Sequence, residues 1–406
     1  MITLAGTWRF RLDPQIEIPA PWQGKRLRLF LERCHWETRA WVDGRFLGAQ
    51  DSLCTPHVYD LGMSLRPGKH RLTICVDNTP KHFLARFASS SSEETQTNWN
   101  GIIGRIELRA ADPIWIDALD VYPDMGRKRA EVRLRIGNAA GAGFAARLTV
   151  KAASSEAAPE IPPKRSEFTA EGPHASVVME LPTGEDVRLW DEFSPVLYDL
   201  TALLSARSGG KSYTDERRAS FGMRKLGVSP EKQFTLNGRT IYLRGTLDCC
   251  IFPRTGYPAM DVEGWARIMR TCRSYGLNHL RFHSWCPPEA AFTAADRSGL
   301  LLQVEAPRAN VGQDPLRDGF IEEEGKRILD CYGNHPSFGA GNWSGWGSSG
   351  IRGISIPAPP LGACSGRAST TWCPSAACTG RPPTSIFATH SPSSRFRWGA
   401  PLPRLD

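Results

Sequence analysis

Hydrophobic and polar residues alternate through roughly the first half of the chain, and this alternation predicts a β-rich region. Segment 27–31 places apolar side chains on one face of a strand. Segment 38–42 alternates in the same way and ends at Asp43-Gly44. This dipeptide favours a tight hairpin, because its residues tolerate the positive φ angles that such a turn needs. Many short strands separated by turns are typical of a β-sandwich.

Alternation continues in a second stretch, where segments 115–122 and 130–136 are predicted strands. Segment 152–173 is rich in Ala, Pro, Ser and Glu, and we expect an exposed loop there. The segment that ends at Arg224 closes this stretch. We therefore predict two β domains, over residues 1–111 and 112–224.

Near Phe234 the period of the apolar residues changes to that of helices separated by short apolar runs. The pattern predicts strands over 240–245, 279–283 and 300–305, and helices over 261–275, 287–298 and 321–332. Asp261 is suited to cap the first helix, and Gly276 is suited to end it. Strands that alternate with helices indicate a parallel sheet built from βαβ units.

The periodicity ends at Phe338. Residues 339–406 are dominated by Gly, Ser, Pro, Thr and Arg, and nine of them are Pro. A segment of this composition has too few apolar residues to form a packed core, so we expect a low-complexity, disordered tail.

Composition and charge argue against several classes of protein and partner. The chain has 406 residues, of which 41% are hydrophobic and 23% are charged, and these values are ordinary for a globular protein. No apolar run is long enough for a transmembrane helix. The net charge is +8, but +5 of it lies in residues 339–406 rather than in a basic stripe on a folded domain. We expect neither a nucleic-acid partner nor a membrane partner, and the oligomeric state is unknown.

The eleven cysteines are scattered, and none forms a Cys-x-x-Cys pair. They are interpreted as buried apolar residues in a reducing compartment, not as disulfides or zinc ligands, so no metal and no cofactor is expected. The start of the chain lacks the basic and apolar regions of a secretory signal. A cytoplasmic location is expected, or a secreted or periplasmic one if the true start lies upstream.

Five stretches together resemble a known family. They are Leu4-x-Gly-x-Trp-x-Phe10, Trp41-Val42-Asp43-Gly44 with Tyr59-Asp60-Leu61, Gly101-Ile-Ile-Gly-Arg-Ile106, Phe221-Gly222-x-Arg224 with Leu243-Arg244-Gly245, and Tyr275-Gly276-x-Asn278-x2-Arg281-x-His283. Each motif is short, but their order and spacing over residues 1–338 resemble the N-terminal part of glycoside hydrolase family two. This group includes β-galactosidases, β-glucuronidases and β-mannosidases.

The resemblance implies three folded domains and an activity. Residues 1–111 would form a sugar-binding jelly-roll β-sandwich, residues 112–224 an immunoglobulin-like β-sandwich, and residues 225–338 the first half of a (β/α)8 TIM barrel. The implied activity is that of a retaining β-glycosidase, a hydrolase of carbohydrate metabolism that releases terminal sugars from oligosaccharides.

Retaining hydrolysis needs two carboxylates about 5–5.5 Å apart, one as acid/base and one as nucleophile. The family carries its acid/base in an Asn-Glu pair at the end of barrel strand four. Here Asn342 is followed by Trp343, and no Glu occurs after Phe338. We therefore predict that the chain contains no catalytic residue and that it hydrolyses no glycoside.

Five candidate substrate-binding residues follow predicted barrel strands, at the strand ends where TIM-barrel active sites form. Arg281 is suited to hold the nucleophile carboxylate, or alternatively forms a core ion pair. His283 is suited to bind a substrate hydroxyl. Trp285 is either a stacking platform for a sugar or a core residue. Asp248 and Glu305 are candidate ligands of sugar hydroxyls, with a turn role as the alternative for Asp248.

Several alternatives stay open. His35-Trp36 and Asn98-Trp99-Asn100 are interpreted as core or loop residues rather than sugar ligands. The tail after Phe338 is explained either by a frame error in the gene or by a natural truncation. A truncated gene would leave a non-catalytic carbohydrate-binding or structural β module with a vestigial barrel. In either case we expect residues 1–224 to fold without the rest.

Overall fold

A computed structural model describes residues 2–3, 15–84, 86–92, 94–95, 97–154, 161–307 and 314–342. The motif at Leu4–Phe10 and the predicted tail beyond Asn342 lie outside these residues. Within them, no helix is both long enough and apolar enough to cross a membrane. No group of three or more His, Cys, Asp or Glu side chains in the same residues is arranged to hold a metal ion.

Among its described residues, the first β region has ten strands: β1 (Ile2–Thr3), β2 (Gln15–Ile18), β3 (Arg26–Leu31), β4 (Cys34–His35), β5 (Glu37–Val42), β6 (Arg45–Gln50), β7 (His57–Gly62), β8 (Gly68–Asp77), β9 (Gly101–Ile102) and β10 (Ile106–Ala111). They form two antiparallel sheets, β1-β10-β3-β7 and β2-β8-β5-β6, and a short β4-β9 pair. Both sheets contribute to one apolar core. The predicted hairpin joins β5 to β6, with φ angles of 48° at Asp43 and 81° at Gly44.

The part of the second β region that the structure describes has seven strands: β11 (Ile114–Asp124), β12 (Arg129–Asn138), β13 (Phe144–Ser154), β14 (Ile161–Ala170), β15 (His174–Pro182), β16 (Tyr198–Ser208) and β17 (Lys211–Phe221). Its two sheets, β11-β12-β15 and β14-β13-β16-β17, enclose a core of their own. The loop expected over 152–173 is wrong, because most of this segment belongs to β13 and β14, which pair with each other. An edge strand with mostly exposed residues needs few apolar side chains, so β14 has the composition of a loop.

A small antiparallel sheet, β18 (Leu226–Val228), β19 (Phe234–Leu236) and β20 (Arg239–Thr240), leads into the last region. That region consists of β21 (Gly245–Asp248), α1 (Val262–Ser274), β22 (His279–Phe282), α2 (Glu289–Ser298), β23 (Leu301–Glu305), α3 (Pro315–Tyr332) and β24 (Phe338–Asn342). The four strands pair in parallel and in chain order. The predicted parallel sheet of βαβ units is therefore present.

Helix α1 follows its prediction closely. The side chain of Asp261 accepts a hydrogen bond from the Gly264 N–H at 2.7 Å, and this bond caps the helix. Its apolar face buries Trp265 and Met269. Helix α2 ends at Gly299, whose φ of 69° is the left-handed conformation typical of a helix end.

Three other boundaries differ from the predictions. The first parallel strand begins at Gly245, where the predicted strand 240–245 ends, because Ile241 instead packs in a small core beside the sheet. Helix α3 begins at Pro315, six residues before the predicted start, since Asp314 caps it and Pro is well tolerated in the first helical turn. Strand β24 continues to Asn342, past the predicted end of regular structure at Phe338.

The first β region and the parallel sheet share one apolar core. Trp36, Leu53, Leu84 and Trp99 from the first region pack in the same cluster as Phe282 and other residues of the sheet and helices. A polar contact accompanies this packing, because the fully buried Glu324 of α3 accepts hydrogen bonds from the Ser52 hydroxyl (2.9 Å) and the Cys54 N–H (2.8 Å). The two regions are thus joined by buried contacts.

Candidate functional site

Polar side chains collect where the parallel strands end. Asp248 is the last residue of β21, Glu305 is the last residue of β23, and His283 directly follows β22. In the sheet register, Arg281 of β22 lies between Leu247 of β21 and Gln303 of β23. The carboxyl ends of parallel strands share one edge of a sheet, so these side chains are brought to a common edge.

Arg281 forms an ion pair with Glu305. The distances from Glu305 Oε1 are 2.5 Å to Arg281 Nη2 and 2.7 Å to Arg281 Nε. The other oxygen, Oε2, accepts a hydrogen bond from the Ser284 N–H at 2.9 Å. Glu305 is only 5% exposed, so its charge is balanced mainly by Arg281. The ion pair that the sequence left as an alternative for Arg281 is present.

Both the side chain and the backbone carbonyl of Asp248 accept hydrogen bonds. Its side chain accepts a hydrogen bond from the Cys250 N–H at 2.7 Å, and its backbone carbonyl accepts from the Trp285 Nε1–H at 3.1 Å. Burial raises the pKa of Asp248 from its ordinary value of 3.8 to about 6. Near neutral pH this carboxyl therefore samples a protonated form that donates a hydrogen bond.

This shift predicts a pH-dependent stability. The folded state holds the Asp248 proton more tightly than the unfolded state, so its stabilising contribution is present below pH 3.8 and is lost as the pH rises through about 6. We expect Asp248→Asn to match the wild type near pH 4. At pH 7.5 it should be more stable by at most about 3 kcal/mol, the equivalent of about two pKa units.

Urea unfolding between pH 4 and pH 8 measures this difference. The matched control is Asp186→Asn, which changes an exposed carboxylate of the second β region and should leave the pH profile of stability as it is. Parallel profiles for the wild type and Asp248→Asn would show that burial does not disfavour the charged form of Asp248.

His283 is half-buried beside the first β region. Its Nδ1 lies 3.2 Å from the Ser284 hydroxyl and 3.5 Å from the Ser89 hydroxyl. Within the described ranges, no hydrogen bond to its Nε2 is present. One ring nitrogen is thus oriented by serines while the other is available to a ligand.

Trp285 lies in the core rather than on a surface. Its ring is 1% exposed and packs edge-on against Phe282, with ring centroids 5.3 Å apart. The Arg33 guanidinium carbon lies 5.8 Å from the Trp285 ring centroid. The ring therefore presents no open face on which a sugar could stack, and its indole N–H instead supports the end of β21.

Ser89 and Thr97 of the first β region reach the same edge of the sheet. Ser89 approaches His283, and Thr97 Oγ1 accepts a hydrogen bond from the Phe252 N–H, in the loop after β21, at 2.9 Å. These contacts were not predicted from the sequence. Their partners are more than 150 positions apart, and the stretch around Ser89 and Thr97 has no periodic pattern that would indicate a site.

Comparisons with known proteins agree with the motifs. Residues 114–224 match the profile of glycosyl hydrolases family 2. A β-galactosidase of Enterobacter cloacae is 25% identical to the chain over 358 residues, which are 82% of this chain and 33% of the relative. The chain is therefore similar to glycosyl hydrolase family 2 in residues 114–224, and to a curated β-galactosidase over most of its own length. The resemblance inferred from the five motifs is thereby confirmed, and the chain spans about a third of the length of the curated relative.

Solved structures of family 2 share its fold. The chain matches Bacteroides uniformis β-glucuronidase 2 with a TM-score of 0.68 and 19% identity, over 81% of this chain and 40% of that one. It also matches a β-galacturonidase from Eisenbergiella tayi with a TM-score of 0.64 and 19% identity, over 81% and 56% of the two chains. The β-rich, multidomain architecture of this chain is therefore found in these solved structures.

Proposed function

We propose that the chain is the N-terminal part of a retaining β-glycosidase that releases terminal sugars from oligosaccharides, and that this part binds the sugar. The observation that carries the proposal is the polar cluster at the carboxyl edge of the parallel sheet, in a chain similar to family 2. In this proposal the sheet is the first half of a TIM barrel, spanning residues 225–338 and the remainder of β24. Residues 1–111 then form a jelly roll, and residues 112–224 form an immunoglobulin-like sandwich.

The residues of the cluster take different roles in binding. His283 binds a sugar hydroxyl through Nε2, while Ser284 and Ser89 orient its ring. Asp248 accepts from a second hydroxyl, or donates to it when protonated. Arg281 supplies positive charge at the edge, and Glu305 fixes the guanidinium in place. Trp285 supports the site from the core.

We propose binding without hydrolysis because of the two carboxylates at this edge of the sheet, Glu305 and Asp248. Glu305 is bound through Oε1 to Arg281 and through Oε2 to the Ser284 N–H, so in this proposal it fixes the guanidinium and does not attack the sugar. Asp248 alone cannot supply the pair of carboxylates that a retaining mechanism requires. The alternative is a purely structural β module, with no sugar site.

Titration with methyl β-D-galactopyranoside and methyl β-D-glucuronide, followed by NMR of the 406-residue chain, tests the sugar site. We expect His283→Ala to weaken binding by about tenfold, the effect of losing about 1.4 kcal/mol of hydrogen bonding, with little change in melting temperature. His174→Ala removes an exposed histidine of the second β region and serves as the control. If neither glycoside bound, or if both variants bound like the wild type, the structural alternative would replace the proposal.

Hydrolysis is tested separately with 4-nitrophenyl β-glycosides. We expect no turnover above that of a mock preparation. Turnover that disappeared in Asp248→Asn or Glu305→Gln would overturn the assignment of the chain as non-catalytic.

A further inference from the structure

Two buried cysteines meet where the first β region packs against the parallel sheet. Cys54 lies in the loop between β6 and β7, and Cys286 lies in the loop between β22 and α2. They are more than 230 positions apart in the sequence, but both belong to the apolar core that the two regions share, where they are 3% and 0% exposed. Both thiols are free. The contact between these cysteines therefore joins the two regions.

One guanidinium holds the backbone of both cysteines. Arg33 donates through Nη1 to the Cys54 carbonyl at 2.8 Å and through Nη2 to the Cys286 carbonyl. The Cys54 carbonyl also accepts a hydrogen bond from the Tyr332 hydroxyl at 3.1 Å, and the Cys54 N–H donates to Glu324 Oε1 at 2.8 Å. Because the guanidinium is a rigid planar fork, it fixes the two loops relative to each other.

The two side chains continue this arrangement as a pair of thiols. The Cys54 thiol is hydrogen-bonded with the Cys286 thiol. The Cys286 thiol in turn donates to the Pro287 carbonyl, with 3.5 Å between sulfur and oxygen. Two cysteines can be bridged without movement of the backbone only where their side chains point toward each other. Thiols that are hydrogen-bonded to each other meet this condition.

We infer that Cys54 and Cys286 form a disulfide when the chain folds in the presence of a disulfide oxidant such as oxidised glutathione. One cysteine, as its thiolate, attacks a glutathione sulfur, so the glutathione S–S bond breaks and one glutathione leaves. The thiolate of the other cysteine then attacks the cysteine sulfur of this mixed disulfide and displaces the second glutathione. Each cysteine loses one proton, the two cysteine sulfurs are oxidised, and oxidised glutathione is reduced to two thiols.

Burial decides when the bond forms. It raises the pKa of the Cys54 thiol well above its ordinary value. Since the thiolate is the attacking form, the folded chain reacts slowly, and the bond forms while the chain folds and the core is still open. Cys286 follows Ser284 and Trp285 in the loop after β22, so the bond ties the first β region to the edge of the sheet that carries the candidate site.

Refolding of the 406-residue chain from urea, with and without oxidised glutathione, tests the inference. Remaining thiols are blocked with N-ethylmaleimide, and a protease digest is analysed by mass spectrometry without a reductant. With the oxidant we expect a pair of peptides that joins Cys54 to Cys286. We also expect a melting temperature higher by about 5 °C or more, because the bond closes a long loop and constrains the unfolded chain.

Three variants separate the bond from packing. Each is refolded with and without the oxidant, so the change in stability caused by the substitution itself cancels. Cys54→Ala and Cys286→Ala should both lose the gain in melting temperature. The matched control is Cys34→Ala, which removes a fully buried thiol of the first β region that donates to the Leu31 carbonyl at 3.8 Å. It should keep both the linked peptides and the gain.

The outcome does not depend on whether the chain binds a glycoside. Alkylation of both Cys54 and Cys286 after refolding with the oxidant would overturn the inference, and so would a link from either residue to a third cysteine, such as Cys331. A gain in melting temperature that survives in both Cys54→Ala and Cys286→Ala would contradict it as well, because another bond would then be its cause.

Discussion

Residues 1–111 expressed alone are expected to show no cooperative thermal transition, whereas residues 112–224 are expected to unfold cooperatively. The second β region encloses its own core. The first region also has an apolar core between its sheets, but four of its large apolar residues, Trp36, Leu53, Leu84 and Trp99, are buried against the parallel sheet and its helices. Burying one large apolar side chain contributes about 1.5–3 kcal/mol. Exposing four of them would remove about as much free energy as a whole domain has, about 5–15 kcal/mol.

Circular dichroism melts of residues 1–111, 112–224, 1–224 and 1–342 measure this effect. For residues 1–224 we expect one transition, which belongs to the second β region. This revises the expectation that residues 1–224 fold without the rest. A cooperative melt of residues 1–111, with a midpoint near that of residues 1–342, would show that the shared core is dispensable.

Local signals in the sequence predicted much of the fold. The Asp43-Gly44 turn and the cap at Asp261 each depend on residues a few positions apart, so one sequence is enough to read them. Strand β14 was missed because edge strands are selected for solubility as much as for packing, which removes the alternation. Its composition is therefore that of a loop, although it pairs along β13.

Only part of the candidate site could be predicted from the sequence, for a different physical reason. The positions of Asp248, Arg281, His283 and Glu305 followed from strand ends, because a parallel sheet places those ends on one edge. The burial of Trp285 and the approach of Ser89 depend on how the first β region packs on the sheet. Contacts between segments so distant in sequence leave no periodic signal in either segment.

Arg281→Ala is expected to destabilise the chain by about 3–5 kcal/mol, the range found when a buried ion pair loses one partner. The alanine leaves the Glu305 carboxylate, whose side chain is 6% exposed in the intact pair, without its charged partner. A loss of this size would show that Arg281 stabilises the fold through its ion pair as well as serving the candidate site.

Neutralising Glu305 instead of removing Arg281 should reduce the stability by less, because the side chains of the two partners differ in exposure. The Arg281 side chain is 26% exposed, so water can solvate the guanidinium once Glu305 is neutral. Glu305→Gln also retains an oxygen that accepts from the Ser284 N–H. We expect it to cost about 1–2 kcal/mol, the effect of weakening a charged hydrogen bond while its partner stays solvated.

The double variant Arg281→Met with Glu305→Leu completes the test by urea unfolding. Replacing both charges with apolar side chains of similar size removes the unpaired charge, so the double variant should be more stable than Arg281→Ala by about 2 kcal/mol or more. Because both polar groups are gone, it should also lose affinity for glycosides while remaining folded. That combination would separate the role of Arg281 in the site from its role in the core. Equal instability of the double variant and Arg281→Ala would instead mean that packing of the arginine stem, and not the charge of Glu305, sets the cost.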